Sequence, residues 1–168
     1  MLQVQLLEYQ DAWPGQFSSV AEEIRSAIAV PSAVIEHIGS TAVPGLCAKP
    51  VLDILVGVTS LAEADAAVPA LFAAGFVYRP EYEQAIPDRR YFVRPPGTYL
   101  RVHLHAVVLG AALWNQHLQF RNRLREDARL RESYSALKTE LALSHATDKA
   151  AYTAAKAPFI QQVLLGLR

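Results

Sequence analysis

An α+β fold, a mixed β-sheet flanked by helices with a helical C-terminal layer, is what this 168-residue sequence predicts. Three observations carry it. Residues Val51 to Val58 are apolar on both faces, with Asp53 as the one charge, which is the pattern of an interior strand covered on each side. Tyr99 to Leu109 alternates, placing Arg101, His103 and His105 on one face and Val102, Leu104 and Ala106 on the other. From about residue 111 to 168, apolar residues recur at the three- and four-residue spacing of packed helices.

Taken in order, LQVQLL at residues 2–7 alternates like a short strand. Trp13, Phe17, Val20, Ile24 and Ile28 then set out a helix with Asp11 as its cap, Pro14 in its first turn and Pro31 beyond its end. Residues 33–38, AVIEHI, read as a strand running into Gly39-Ser40. The Pro/Gly-punctuated stretch to Pro50 leaves room for about one helical turn, entered at Pro44. After the strand at Val51–Val58, Thr59 or Ser60 caps a helix to about Ala74, flawed by Pro69 and stopped by Gly75. Short strands follow at Gly75 to Arg79 and Arg90 to Arg94, with a polar loop between them. In the last third, Leu113, His117, Phe120 and Leu124 form one stripe, Leu130, Tyr134, Leu137 and Leu141 a second, and Tyr152, Phe159, Val163 and Leu167 a third that Pro158 interrupts.

The length suits one domain over residues 1–168. Sixteen basic against sixteen acidic side chains leave no net field that would call for nucleic acid or a membrane surface. A single cysteine, Cys47, excludes an internal disulfide and a thiolate-rich metal site. With no leader-like segment and no apolar run of about 18 residues, a cytoplasmic location and no membrane partner are expected.

Chemistry concentrates in His37 to Val56, HIGSTAVPGLCAKPVLDILV. The Gly39-Ser40 turn can offer backbone donors and a hydroxyl to phosphate. Lys49 can add a point charge, and Asp53 can hold a divalent ion bridging phosphate oxygens. The same residues also suit a tight turn, a helix cap and a local pair. His103 and His105, two apart on a strand, can converge on a metal or a phosphate, or can face solvent on an open sheet. With Asp53 they make acceptable ligands for zinc, manganese or iron. Of the arginines near the later strands, Arg90 and Arg101 are better placed to clamp phosphate than Arg89 and Arg94.

The central run resembles the motif of the GrpB family. The resemblance continues through Arg89-Arg90-Tyr91-Phe92, the HLH of His103 to His105, the FRxxLR of Phe120 to Arg125, Tyr134 to Lys138, and Tyr152 to Phe159. It implies the nucleotidyltransferase superfamily fold, with Gly39 and Ser40 at a nucleotide triphosphate and Asp53 on metal. Superfamily members that are active carry a second acid two residues on and a third on a later strand. Here those positions offer Leu55 and the histidines. Two-metal transfer normally takes several carboxylates, so Glu36 on the preceding strand becomes a candidate fourth ligand beside Asp53, His103 and His105.

The function expected is therefore binding of a nucleotide or phosphorylated small molecule with a divalent metal, magnesium or manganese first and zinc as an alternative, with nucleotidyl transfer as the associated reaction. Asp53, His103 and His105 are the catalytic candidates. Gly39, Ser40, Lys49, Arg90, Arg101, Lys138 and Lys156 are the phosphate-binding ones. Two rivals remain at this level: a non-catalytic nucleotide, cofactor or regulatory module, and a metal-dependent hydrolase built on Asp53 with His103 and His105. The resemblance also suggests a link to coenzyme A metabolism through extensions of dephospho-coenzyme A kinase.

Overall fold

A computed structural model describes residues 4–168. It contains a mixed five-stranded sheet, β1 (Val34–Ile38), β2 (Val51–Val58), β3 (Val77–Tyr78), β4 (Arg89–Arg94) and β5 (Arg101–Val108), in the order β1-β2-β5-β4-β3. Only β2 and β5 run parallel; the other neighbours are antiparallel. The chain closes that parallel pair through α2 (Leu61–Ala66), α3 (Val68–Ala73) and the β3–β4 hairpin.

One face of the sheet is fully covered. Helix α1 (Trp13–Ile28) lays Val20, Ile24 and Ile28 against Leu52, Ile54, Val56, Val102 and Leu104, and α2 and α3 add Ala64, Ala67 and Leu71. Helices α4 (Ala112–Glu126), α5 (Ala128–Ser144), α6 (Lys149–Ala155) and α7 (Ala157–Leu164) occupy the other side. Of these, α4 seals one half of that second face by placing Trp114 on Ile38, Leu55 and Val107. Leu124, Leu130, Tyr134, Phe159 and Val163 form a separate core around Val43 and Leu46 of the β1–β2 loop. That loop is thereby held against the helical layer.

Several sequence expectations are corrected. The strand foreseen at residues 2–7 lies partly outside the described residues, and within them Leu7 makes one isolated bridge to Ala48. Asp11 does not cap α1: the Gln10 carbonyl accepts the Trp13 N–H, and the helix grows out of that turn with no side-chain cap. A 3-10 turn at Ser40–Ala42 replaces the helical turn foreseen at Pro44. The helix expected through Ala74 is two short helices, because Pro69 has no N–H to continue the ladder. Pro158 divides α6 from α7 in the same way.

Candidate functional site

Asp53 sits in β2 between Ile38 of β1 and His103 of β5, so its side chain shares a face with Leu55, His103, His105 and Tyr91. Its Oδ1 lies 3.3 Å from His103 Nδ1 and 3.7 Å from His105 Nε2. The alternation put the two histidines on one face, and the structure brings both to the carboxylate. Burial alone would raise the Asp53 carboxyl, but hydrogen bonding and charge from the two imidazoles outweigh it and hold the group well below the usual carboxylate range.

Gly39 closes the other side of Asp53. Its backbone, at φ 70 and ψ −171, occupies a region essentially restricted to glycine. A Cβ there would lie 2.9 Å from Asp53 Cβ and collide with its carboxylate. The glycine thus serves twice, in the turn and in the approach of that turn to Asp53. Below the turn, His37 is buried and stacked on Phe17, with centroids 4.7 Å apart. Thr41 Oγ1 donates to the Val51 carbonyl and so accepts from His37 Nε2 at 3.0 Å, which assigns the proton to that nitrogen. Burial pushes His37 down to about 4.

Three lysines flank the turn. Lys138 of α5 is 2% exposed, and its Nζ donates to Ser40 Oγ at 2.9 Å and to the Cys47 carbonyl. Because Ser40 Oγ accepts from an ammonium, its own O–H remains free to donate to a ligand oxygen. Lys49 and Lys156 lie on the Tyr152 ring, 4.6 and 4.7 Å from its centroid. Burial lowers all three lysines, Lys138 and Lys156 to about 8. Among the described residues none of the three has a carboxylate within 4 Å. Three desolvated cations therefore gather at the turn, and two of them, Lys49 and Lys156, feel the charge of Asp53.

The arginine expectations divide. Arg101 lies on the Asp53 face, opposite Val51, and is exposed. Arg90 projects to the other face, where it pairs with Asp65 at 2.6 Å and Glu83 at 3.5 Å, so the structure keeps it from the group around Asp53. Its neighbour Arg89 takes the place intended for it: Nη1 is 3.4 Å from His105 Nδ1, the guanidinium lies over Tyr91, and Nε is buried without a partner. Since arginine only donates, this contact makes His105 Nδ1 an acceptor and directs the Nε2 proton toward Asp53. His117 of α4 completes the cluster, 5.6 Å from His105 by ring centroids and held down at about 4 by burial. Sequence reasoning placed His117 in an apolar helix stripe; its spacing gave no sign of this neighbour.

Glu36 faces the same side as Leu55, but Arg121 Nη1 holds its carboxylate at 2.6 Å and donates also to the His37 carbonyl at 2.9 Å. It is a structural partner of α4, away from Asp53. Leu55, where the second acid would stand, is fully buried with Ile38, Val107 and Trp114. Among the described residues no three His, Cys, Asp or Glu side chains surround a common ion position. The donors present fit a cation brought with its own ligands: magnesium is commonly held by one or two carboxylates, with phosphate oxygens and water supplying the rest. They do not fit two ions held by the protein alone.

A family model described as GrpB protein matches residues 3–165. The chain belongs to the GrpB family. A UPF0157 protein of Halalkalibacterium halodurans is 35% identical over 161 residues, covering 96% of this chain and 80% of that protein. The crystal structure of conserved protein GrpB from Enterococcus faecalis superimposes with a TM-score of 0.85 at 32% identity, covering 96% of each chain. Cid1 poly(U) polymerase with Mg 3'-dATP bound shares the nucleotidyltransferase-like fold at a TM-score of 0.58 and 14% identity, over 88% of this GrpB chain and 49% of Cid1. A dephospho-CoA kinase of Mycolicibacterium paratuberculosis is 32% identical over 118 residues, 68% of this chain and 27% of that protein. No described helix is long and apolar enough to cross a membrane.

Proposed function

We propose that this GrpB protein binds a nucleotide, or a phosphorylated small molecule of similar charge, together with one divalent cation at the Gly39-Ser40 turn. The observation that carries the reading is the Lys138–Ser40 contact, a buried ammonium behind a hydroxyl that is left free to donate, with Lys49 and Lys156 beside it and, among the described residues, no carboxylate pairing any of the three. Desolvated cations without counter-charges are costly, and an anionic ligand offsets that cost. In this reading Gly39 and Ser40 receive phosphate, the lysines and Arg101 balance its charge, and Asp53 receives the cation, which screens phosphate oxygens against one another. His103 and His105 orient Asp53. The fold shared with Cid1, solved with Mg 3'-dATP, supports the ligand class.

Leu55 favours a module that binds without transferring, because its position lies in an apolar cluster where a carboxylate would be unpaired. The partial match to a dephospho-CoA kinase makes coenzyme A precursors and adenine nucleotides the first ligands to try. The test is a thermal-shift screen of common ribonucleoside triphosphates and dephospho-coenzyme A, each with EDTA, magnesium or manganese. The expected result is a midpoint raised by ligand and metal together and unmoved by metal alone. A shift with zinc or manganese alone would instead support a resident metal centre of the hydrolase kind.

A further inference from the structure

A cavity of about 500 Å³ opens along the free edge of β1 between α1 and α4. Its size is within the range of small-molecule sites. Phe17, Ile35 and Pro44 give it an apolar wall, and Arg121, Arg125 and Arg131 enter it from the helical layer. The three arginines differ in what they have left to offer. Arg121 is largely committed: its Nη1 serves Glu36 and the His37 carbonyl, and its Nε serves Asn122. Among the described residues Arg125 uses only Nε, on the Ala42 carbonyl at 2.9 Å, and Arg131 only Nη1, on the Leu124 and Arg125 carbonyls. Among the described residues neither has an ion pair. Two guanidinium groups thus hold fixed positions through backbone carbonyls while their other N–H donors remain open.

We infer that this cavity is a second binding site, for a small organic dianion, a phosphomonoester or dicarboxylate, whose aromatic or aliphatic body rests on the apolar wall. Guanidinium forks match the oxygens of both anions, and fixing them beforehand lowers the ordering cost of binding. The site is distinct from the one at Asp53 but shares a wall with it. Thr41 and Ala42 line the cavity and belong to the Ser40–Ala42 turn, and the Arg125–Ala42 bond ties the cavity to that turn.

Calorimetric titration with phenyl phosphate and phthalate, and with phenol and benzamide as neutral counterparts, tests the assignment on the full chain. Both anions are expected to bind and both neutral compounds to fail. Arg131→Gln, which spares the Ala42 contact, should weaken the anions by about tenfold or more, and Asp53→Asn should leave them unchanged. In the unmodified protein, the Nε–H resonances of Arg125 and Arg131 should shift on titration, a readout that does not depend on any variant folding. Binding lost in Asp53→Asn but kept in Arg131→Gln would put the anion at the nucleotide site and overturn the assignment. Equal binding of the neutral compounds, still arginine signals, or no anion binding at millimolar concentration would overturn it as well.

Discussion

Asp53 and Leu55 point to the same side of the same strand, two residues apart, yet they occupy opposite environments. Asp53 is about 29% exposed in its side chain, flanked by two imidazoles, and roofed by a glycine turn that leaves it room. Leu55 has no exposure and lies under Trp114. The boundary is drawn by α4, which seals one half of the face and leaves the other half open. Gly57 sharpens that boundary, since a Cβ there would lie 2.7 Å from the Trp114 ring: the helix is seated as close to β2 as the backbone permits. A second carboxylate is absent where the packing has no place for one.

The largest effect should come from forcing the closed half to resemble the open one. Leu55→Asp places an unpaired carboxylate in the Trp114 cluster and is expected to cost about 4 kcal/mol or more in a chemical denaturation measurement. A variant that folded normally and gained metal affinity would break the contrast between the two halves. Filling the open half is the converse experiment. Gly39→Ala adds strain at φ 70 and a collision with Asp53, and should cost about 3 kcal/mol and abolish nucleotide-dependent stabilisation. Retention of that stabilisation would show that the turn and Asp53 do not act together.

Acid should attack the support of the turn. His37 has a folded-state pKa of about 4 against an ordinary 6.5, so below pH 6.5 the unfolded chain takes up a proton that the folded chain refuses. The associated stability, present above 6.5, is lost as pH falls toward 4, and amounts to about 3 kcal/mol for His37 alone. Denaturation curves of His37→Gln should be flatter over that window. The smallest stability effect is expected for Lys138→Met, within about 1 kcal/mol, because the substitution removes a buried charge that has no counter-ion among the described residues. Its effect on function should be larger, about a tenfold loss in nucleotide affinity. In the unmodified protein that affinity should decline as pH rises through about 8, where Lys138 and Lys156 lose their protons, and the decline should be shallower in the variant.

Much of this contrast is readable in the sequence, and the unreadable part has a common cause. Local pattern sufficed for the limits of β2, for the interruption at Pro158, and for the shared face of His103 and His105, whereas Pro69 read as a flaw in one helix and the structure has two. The choice between Arg89 and Arg90 depended on the register of β4 against β5, where a shift of one residue exchanges the faces. The fate of Glu36 was set by Arg121, 85 residues away, and that of His117 by the packing of α4 against β5, which brings it to His105. Each is a long-range packing outcome, which short-range periodicity does not encode.

The central claim is that a single carboxylate, Asp53, receives a cation delivered with a nucleotide. Calorimetric titration of magnesium-loaded ribonucleoside triphosphates into the unmodified protein and into Asp53→Asn, each repeated in EDTA, tests it most directly. Binding that weakens on chelation in the unmodified protein, and that no longer responds to chelation in Asp53→Asn, is the predicted result. Equal metal dependence in both proteins, or no binding by either, would contradict the account.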